Sequence, residues 1–154
     1  MLKAENINLE YKSFKILENL SFESESGRML AIVGPNGAGK SSLLSYIANE
    51  INPKYNLIKL KNIQLKDWEK EELTQHKAKF SQHQANDITL TVEEIVLMGR
   101  YPYFNHQPQK NDIESIEYWM KKTNIQHLKS REYNHLSGGE KQRVHLARIF
   151  SQLD

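Results

Sequence analysis

Eight consecutive residues set the tightest limit on this chain. Gly34-Pro35-Asn36-Gly37-Ala38-Gly39-Lys40-Ser41 fits the pattern G-x-x-x-x-G-K-[ST], which demands a strand before it and a helix after it. Residues 29–33 (Met-Leu-Ala-Ile-Val) form an unbroken apolar run and predict a short strand buried on both faces. Leu44, Ile47, Ala48 and Ile51 fall at i, i+3, i+4 and i+7, which predicts an amphipathic helix ended by Asn52-Pro53. Each residue type has a chemical use. Glycines let backbone N–H groups turn inward toward phosphate oxygens without a Cβ in the way. The helix beginning near Lys40 adds the positive end of its dipole and its unpaired N–H groups. Lys40 supplies a point charge for β- and γ-phosphates, and the Ser41 hydroxyl is a hard oxygen ligand for Mg²⁺. The ordinary alternative is a glycine-rich strand-to-helix turn. With Gly at about 7% of residues, four fixed positions coincide by chance in well under ~1% of chains this long.

The scaffold around the loop is built from 154 residues, enough for one domain or part of one. Lysine and arginine number 21 and aspartate and glutamate 19, leaving a net charge of +2. That balance gives no electrostatic case for a nucleic-acid partner. The absence of cysteine excludes disulfides, thiolate metal sites and cysteine nucleophiles, and fits a reducing compartment. The longest apolar run, 29–33, is far short of the roughly 20 residues that cross a bilayer. The opening MLKAENINLEYKS has no apolar core of a secretory signal. These features predict a cytoplasmic chain whose membrane role, if any, comes through a partner.

Periodicity places the remaining elements. Ile7, Leu9 and Tyr11 alternate with polar residues and predict a half-buried strand, followed by another over 17–23. Residues 57–60 and 77–80 read as short strands, and 67–76 as a charged, exposed helix. Thr91 and Glu94 match a capping box that opens a helix over 92–98, which Gly99 closes as a left-handed cap. Pro102 and Pro108 bracket a loop. Ile113, Ile116 and Met120 predict a further helix. A last helix starts at Ser137 and carries Leu146, Ile149, Phe150 and Leu153 on one face. Strands and helices alternate first and helices follow, an α/β core with a helical insertion.

A second motif, Leu136-Ser137-Gly138-Gly139-Glu140, lies far downstream of the loop. Ser137 and Glu140 form another capping box, and a plain helix start explains that much. Two glycines in the first turn leave a bare helix tip with a serine hydroxyl, which is an anion site. The pair of motifs, GPNGAGKSS and LSGGEKQRVHLAR, resembles the ATP-binding subunits of ABC transporters, and the resemblance runs from Tyr11 to the C-terminus. It implies a P-loop NTPase core of ABC type with a helical subdomain: a core over 1–84, a helical subdomain over 85–137 and a signature helix over 138–154. It implies that Gly34, Pro35, Asn36, Gly37, Ala38, Gly39, Lys40, Ser41 and Ser42 hold ATP. Ser137, Gly138 and Gly139 would then cover the γ-phosphate bound by a second copy in a head-to-tail dimer. Gln82 resembles the Q-loop glutamine, a Mg²⁺ ligand alongside Ser41, although Ser81 stands where the family usually has Pro. As a lone residue Gln82 also reads as a solvated loop side chain. Tyr11 resembles the aromatic that stacks on adenine, and reads nearly as well as the end of a strand's apolar face.

The segment VEEIVLMGRYPY, residues 92–103, is similar to its counterpart in importers of haem, iron chelates and cobalamin, haemin importers above all. Its mechanical reading is a capped helix followed by a rigid aromatic turn facing a partner, and its plain reading is a surface turn with packing tyrosines. The cargo never needs to touch such a subunit, so these residues do not encode cargo chemistry directly. The six histidines, His76, His83, His106, His127, His135 and His145, form no H-x-x-x-H pair on a predicted helix and so no metal cluster.

In the family a buried strand ending in Asp-Glu follows the signature helix, then a loop Asp and a switch His. Residues 149–154 end in an acid, but Ser151-Gln152 interrupts the apolar run, and its spacing is helical. The resemblance therefore implies a chain truncated before the Walker B strand, with no catalytic residue of its own, because phosphoryl transfer to water needs that water oriented. The expected role is energy coupling in an importer of haemin or an iron chelate, with hydrolysis by the full-length dimer. ATP and Mg²⁺ are the expected cofactors. The expected partners are permease subunits and a second copy, not nucleic acid, at the cytoplasmic face of the membrane. The alternatives are a non-transport ABC ATPase and a nucleotide-binding fragment without turnover.

Overall fold

The computed structural model describes residues 1–48, 50, 58–80 and 89–154. They fall into two compact units, Met1–Glu69 and Lys70–Asp154.

The first unit is built on an antiparallel sheet. Strands β1 (Leu2–Tyr11), β2 (Phe14–Ser24), β3 (Ile58–Leu60) and β4 (Ile63–Gln64) lie in the order β2-β1-β3-β4. Both hairpins close with two residues at positive φ, Lys12 and Ser13 at 47° and 67°, Lys61 and Asn62 at 51° and 68°. That turn matches the right-handed twist of the flanking strands. The β1–β2 ladder is bulged. Asn6 and Asn19 sit at positive φ, and their amides leave the ladder to donate to Ser21 Oγ and Asn8 Oδ1, each at 2.9 Å. The shift selects Ala4, Ile7 and Leu9 as the inward residues of β1. Tyr11, placed on that face by alternation, is instead 64% exposed at the hairpin end.

Two expectations for this unit need correction. Residues 29–33 have no regular secondary structure and belong to no described sheet, with Met29 and Val33 97% and 88% exposed. A strand buried on both faces needs a neighbour along each edge, and no described strand pairs with this run. Helix α1 (Lys40–Ile47) follows the loop as expected, but it buries Leu43 and Tyr46 and leaves Leu44 half exposed. Ile51, Asn52, Pro53 and Leu57 lie outside the described residues.

The second unit is helical, with α2 (Lys70–His76), α3 (Val92–Leu97), α4 (Lys110–Lys122) and α5 (Gly138–Gln152). Its core joins Val92, Ile95 and Val96 of α3 to Ile116 and Met120 of α4 and to Val144 and Ala147 of α5. Thr91 caps α3 as expected. Its Oγ1 accepts from the Glu94 amide at 3.3 Å, while the Glu94 carboxylate accepts from the Thr91 amide at 2.7 Å. The helix expected from residue 67 starts at Lys70, because Leu65–Asp67 forms a separate 3₁₀ turn. The strand expected over 77–80 is absent.

Gly99 does not close α3. Its φ is not positive, and the chain continues as a 3₁₀ segment, Met98–Tyr103, with Pro102 inside it. The glycine serves close approach instead. A Cβ there would be 2.5 Å from Ser151 Oγ and closer still to the Arg148 carbonyl oxygen. The same contact rotates α5 from its expected face. It buries Val144, Ala147, Ile149 and Ser151, and leaves Leu146, Phe150 and Leu153 38–45% exposed. The small Ser151 admits the neighbouring backbone at Val96 and Gly99, and that outweighs the larger side chains.

Candidate functional site

The glycine-rich loop and α1 form one continuous structure. Gly37 and Gly39 both lie in the left-handed region, at φ 84° and 82°. At Gly39 a Cβ would also press to 3.0 Å from Ile16 and Leu17 side-chain carbons and 3.1 Å from the Ile16 carbonyl, so only glycine fits. Gly39 is the N-cap of α1 and offers no side-chain oxygen, and no acidic residue sits in the first turn. The first amides of α1 and its dipole are thus left without a built-in anion. Lys40 folds back over the loop, its Nζ donating to the carbonyls of Gly34 at 2.9 Å and Pro35 at 2.7 Å. Ser41 is exposed in the same first turn, with Ser42 beside it. Helix-start amides, one ammonium and an exposed hydroxyl are groups that a polyphosphate and a hard cation can engage. Among the described residues no group of three His, Cys, Asp or Glu could hold a metal.

The second tip is differently made. Ser137 caps α5, and the Glu140 carboxylate accepts from the Ser137 amide at 2.7 Å and from its hydroxyl at 2.6 Å. Those two bonds, the side-chain one first, hold the Glu140 carboxyl below its usual range. Ser137, Gly138 and Gly139 are all exposed. The serine hydroxyl at this tip is thus already engaged by the carboxylate of its own helix.

The other expected residues are less informative. Tyr11 stands exposed at its hairpin end with Lys12 Nζ 5.5 Å from the ring centre. Gln82 lies outside the described residues. Sequence reasoning missed two buried polar groups. Arg100 and Asp112 form an ion pair at 3.0 Å, both less than a tenth exposed. His145 shares a 2.8 Å hydrogen bond with the hydroxyl of the fully buried Tyr133. Nothing in the spacing of these residues pairs them, because each contact joins different helices.

Burial, helped by Arg148, pushes the His145 imidazole down to about 4. The unfolded chain, near 6.5, then binds a proton that the folded chain refuses. Stability is complete above 6.5 and falls as pH drops toward 4. Glu94 and Glu140, both held low by their capping bonds, extend the loss as pH falls below 4.5. Urea unfolding across this range is expected to show both limbs. His145→Gln should flatten the upper limb and keep the lower. An unchanged upper limb would contradict the assignment.

Comparison with known proteins decides the family. Residues 17–153 match the ABC transporter family. This chain belongs to that family. It is 38% identical, over 99% of its length, to the hemin import ATP-binding protein HmuV of Photobacterium damsela subsp. piscicida, and spans 57% of that protein. Among solved structures it is similar to a metal-chelate type ABC transporter in an inward-facing conformation. There the identity is 27% and the TM-score 0.76, with 98% of this chain and 55% of that one covered. It is also similar to the dimeric structure of a bacterial ABC transporter cassette. That match has 26% identity and a TM-score of 0.77, covering 99% of this chain and 70% of that one. The fold is that of the ABC ATPases, of mixed helix and sheet. The chain spans under three fifths of the HmuV proteins it matches. ABC ATPases use nucleotide and Mg²⁺, dimerise, and work with permease subunits in importers. Among the described residues of this ABC chain, no helix is long and apolar enough to cross a membrane.

Proposed function

We propose that this chain is the ATP-binding part of an energy-coupling subunit in an ABC importer of haemin or an iron chelate. The observation that carries the binding half is the uncapped start of α1, with Lys40 over the loop and Ser41 in the first turn. The HmuV relatives support the cargo class. Residues 34–42 hold the phosphates of Mg-ATP. Lys40 neutralises β- and γ-oxygens, and Ser41 with Gln82 ligates Mg²⁺, which screens phosphate charge when bound. Tyr11 stacks on the adenine. Ser137, Gly138 and Gly139 of one copy cover the γ-phosphate held by another, in a head-to-tail pair. The core spans 1–84, the helical subdomain 85–137 and the signature helix 138–154. The pair sits at the cytoplasmic face of the membrane through its permease.

We assign no general base among the described residues. Residues 149–152 continue α5 as helix, and the Asp154 carboxylate accepts a hydrogen bond from Ser115 Oγ at 2.7 Å. The reading as a binding fragment without turnover rests on the same observation. Mg²⁺-dependent phosphate release by the purified chain tests it, and robust turnover would overturn it.

The two-copy site makes a separate prediction. Ser137→Ala leaves the Mg-ATP affinity of one copy within about twofold, because the serine touches only the partner's nucleotide. ATP-driven pairing should weaken roughly tenfold or more, as expected for losing a hydrogen bond to a charged group. Sedimentation with and without Mg-ATP reads the second effect. Equal loss of both would count against a site shared between copies.

A further inference from the structure

We propose that Arg100 is a positioning residue for the Ser137 tip: it anchors α5 at the opposite end of that helix, so the tip is presented at a fixed attitude. The inference rests on the two-copy site proposed above.

The anchor is built from three contacts on the last turn of α5 and one that ties Arg100 to α4. Arg100 Nη1 donates to the Ser151 carbonyl at 2.7 Å, and Arg100 Nε donates to Asp112 Oδ1 at 3.0 Å. Tyr103 Oη donates to the Gln152 carbonyl at 2.8 Å, and Ser151 Oγ donates to the Val96 carbonyl at 3.2 Å. The Ser151 and Gln152 carbonyls are among the last four of α5 and have no intrahelical partner, so a cation there also opposes the negative end of the dipole. The guanidinium lies over the Tyr103 ring, 3.8 Å from its centre. The second Asp112 oxygen is fixed too, accepting from the Gln109 amide at 2.9 Å. Every polar atom of the pair that these contacts name is therefore held in one orientation.

Stability alone does not call for such a pair, since a buried ion pair often does no better than apolar residues of the same volume. Geometry does. Arg100 and Asp112 belong to the 3₁₀ segment and to α4, and Arg100 ties both to the last turn of α5. That helix has 15 residues and is roughly 22 Å long. A tilt of about 5° at the anchored end moves the far tip by about 2 Å, well beyond the few tenths of an ångström over which a hydrogen bond keeps its strength. Lysine cannot replace arginine here. One flexible ammonium does not reproduce a planar fork that meets a carboxylate and a carbonyl on separate nitrogens.

Two variants test the role. Arg100→Lys keeps the charge and loses the fork. Arg100→Met combined with Asp112→Leu removes the pair and keeps the packed volume. In both, Mg-ATP affinity of a single copy is expected within about twofold of wild type. The double variant is expected to stay folded with a somewhat lowered unfolding midpoint, because the Ser151 carbonyl and the Gln109 amide lose their partners. ATP-driven pairing, by sedimentation, should fall roughly tenfold in both, the size seen when a supporting network is loosened. Normal pairing in the folded double variant would overturn the anchor while leaving the two-copy site intact. A wild-type chain that binds Mg-ATP but never pairs would overturn both.

Discussion

Lys40→Ala is expected to weaken Mg-ATP binding by roughly 30- to 100-fold. The ammonium folds over the loop, donating to the Gly34 and Pro35 carbonyls. A hydrogen bond to a charged group contributes about 1.5–3 kcal/mol, and 2–3 kcal/mol corresponds to this range of affinity. The loop itself should survive the change. Those carbonyls are on exposed residues, so water replaces the lost donor. Titration with a fluorescent ATP analogue, alongside circular dichroism to verify the fold, measures the effect. A loss below threefold with the fold unchanged would mean that Lys40 does not meet phosphate.

Gly99→Ala is expected to destabilise the helical unit by about 3 kcal/mol, at the upper end for overpacking. The added Cβ would strike the Arg148 carbonyl in the body of α5, and Ser151 Oγ 2.5 Å away. A flexible side chain could swing clear. A helical carbonyl cannot move without tilting α5 and breaking the anchor on its last turn. For a unit of this size, net stability is of order 5–10 kcal/mol, so the loss is a large share. Gly138→Ala is the control, because nothing lies within 4 Å of its added Cβ. Thermal unfolding by circular dichroism should separate the two variants clearly. Equal midpoints would show that α5 and the 98–103 segment do not pack as closely as described.

The two substitutions mark what was legible in the sequence. The helix that follows the glycine-rich loop, both serine/threonine-capped helix starts and strands β1 and β2 depend on local chemistry: glycine conformations, capping oxygens and alternation. Such features are written in neighbouring residues, and the expectations for them match the fold. Gly99 was misread because a glycine near a helix end has two uses. Local pattern suggests a left-handed cap, whereas the need for contact with Arg148 arises from a helix about fifty residues away. The α5 face was misread for a related reason, since its packing includes the small Ser151 against the backbone of Val96 and Gly99. The 29–33 run shows the opposite limit. Its composition suits a buried strand, but burial is a property of neighbours, and no described strand supplies them. At the candidate site, the glycine turn at residues 37–39 and the helix start at Lys40 were legible from the spacing of residues 34–41. The Glu140 carboxylate on the Ser137 hydroxyl and the Arg100–Asp112 pair needed three-dimensional structure, one to show which atoms meet and the other to bring distant helices together.

The central claim is that backbone amides of residues 34–42 and the Lys40 ammonium cradle a polyphosphate chelated to magnesium. Isothermal titration of Mg-ATP into the folded chain tests it most directly. The account predicts saturable heat with one nucleotide per chain, weakened by EDTA and largely lost in the Lys40→Ala variant. A folded sample that gives no heat, or gives the same heat with Lys40 replaced, would contradict it.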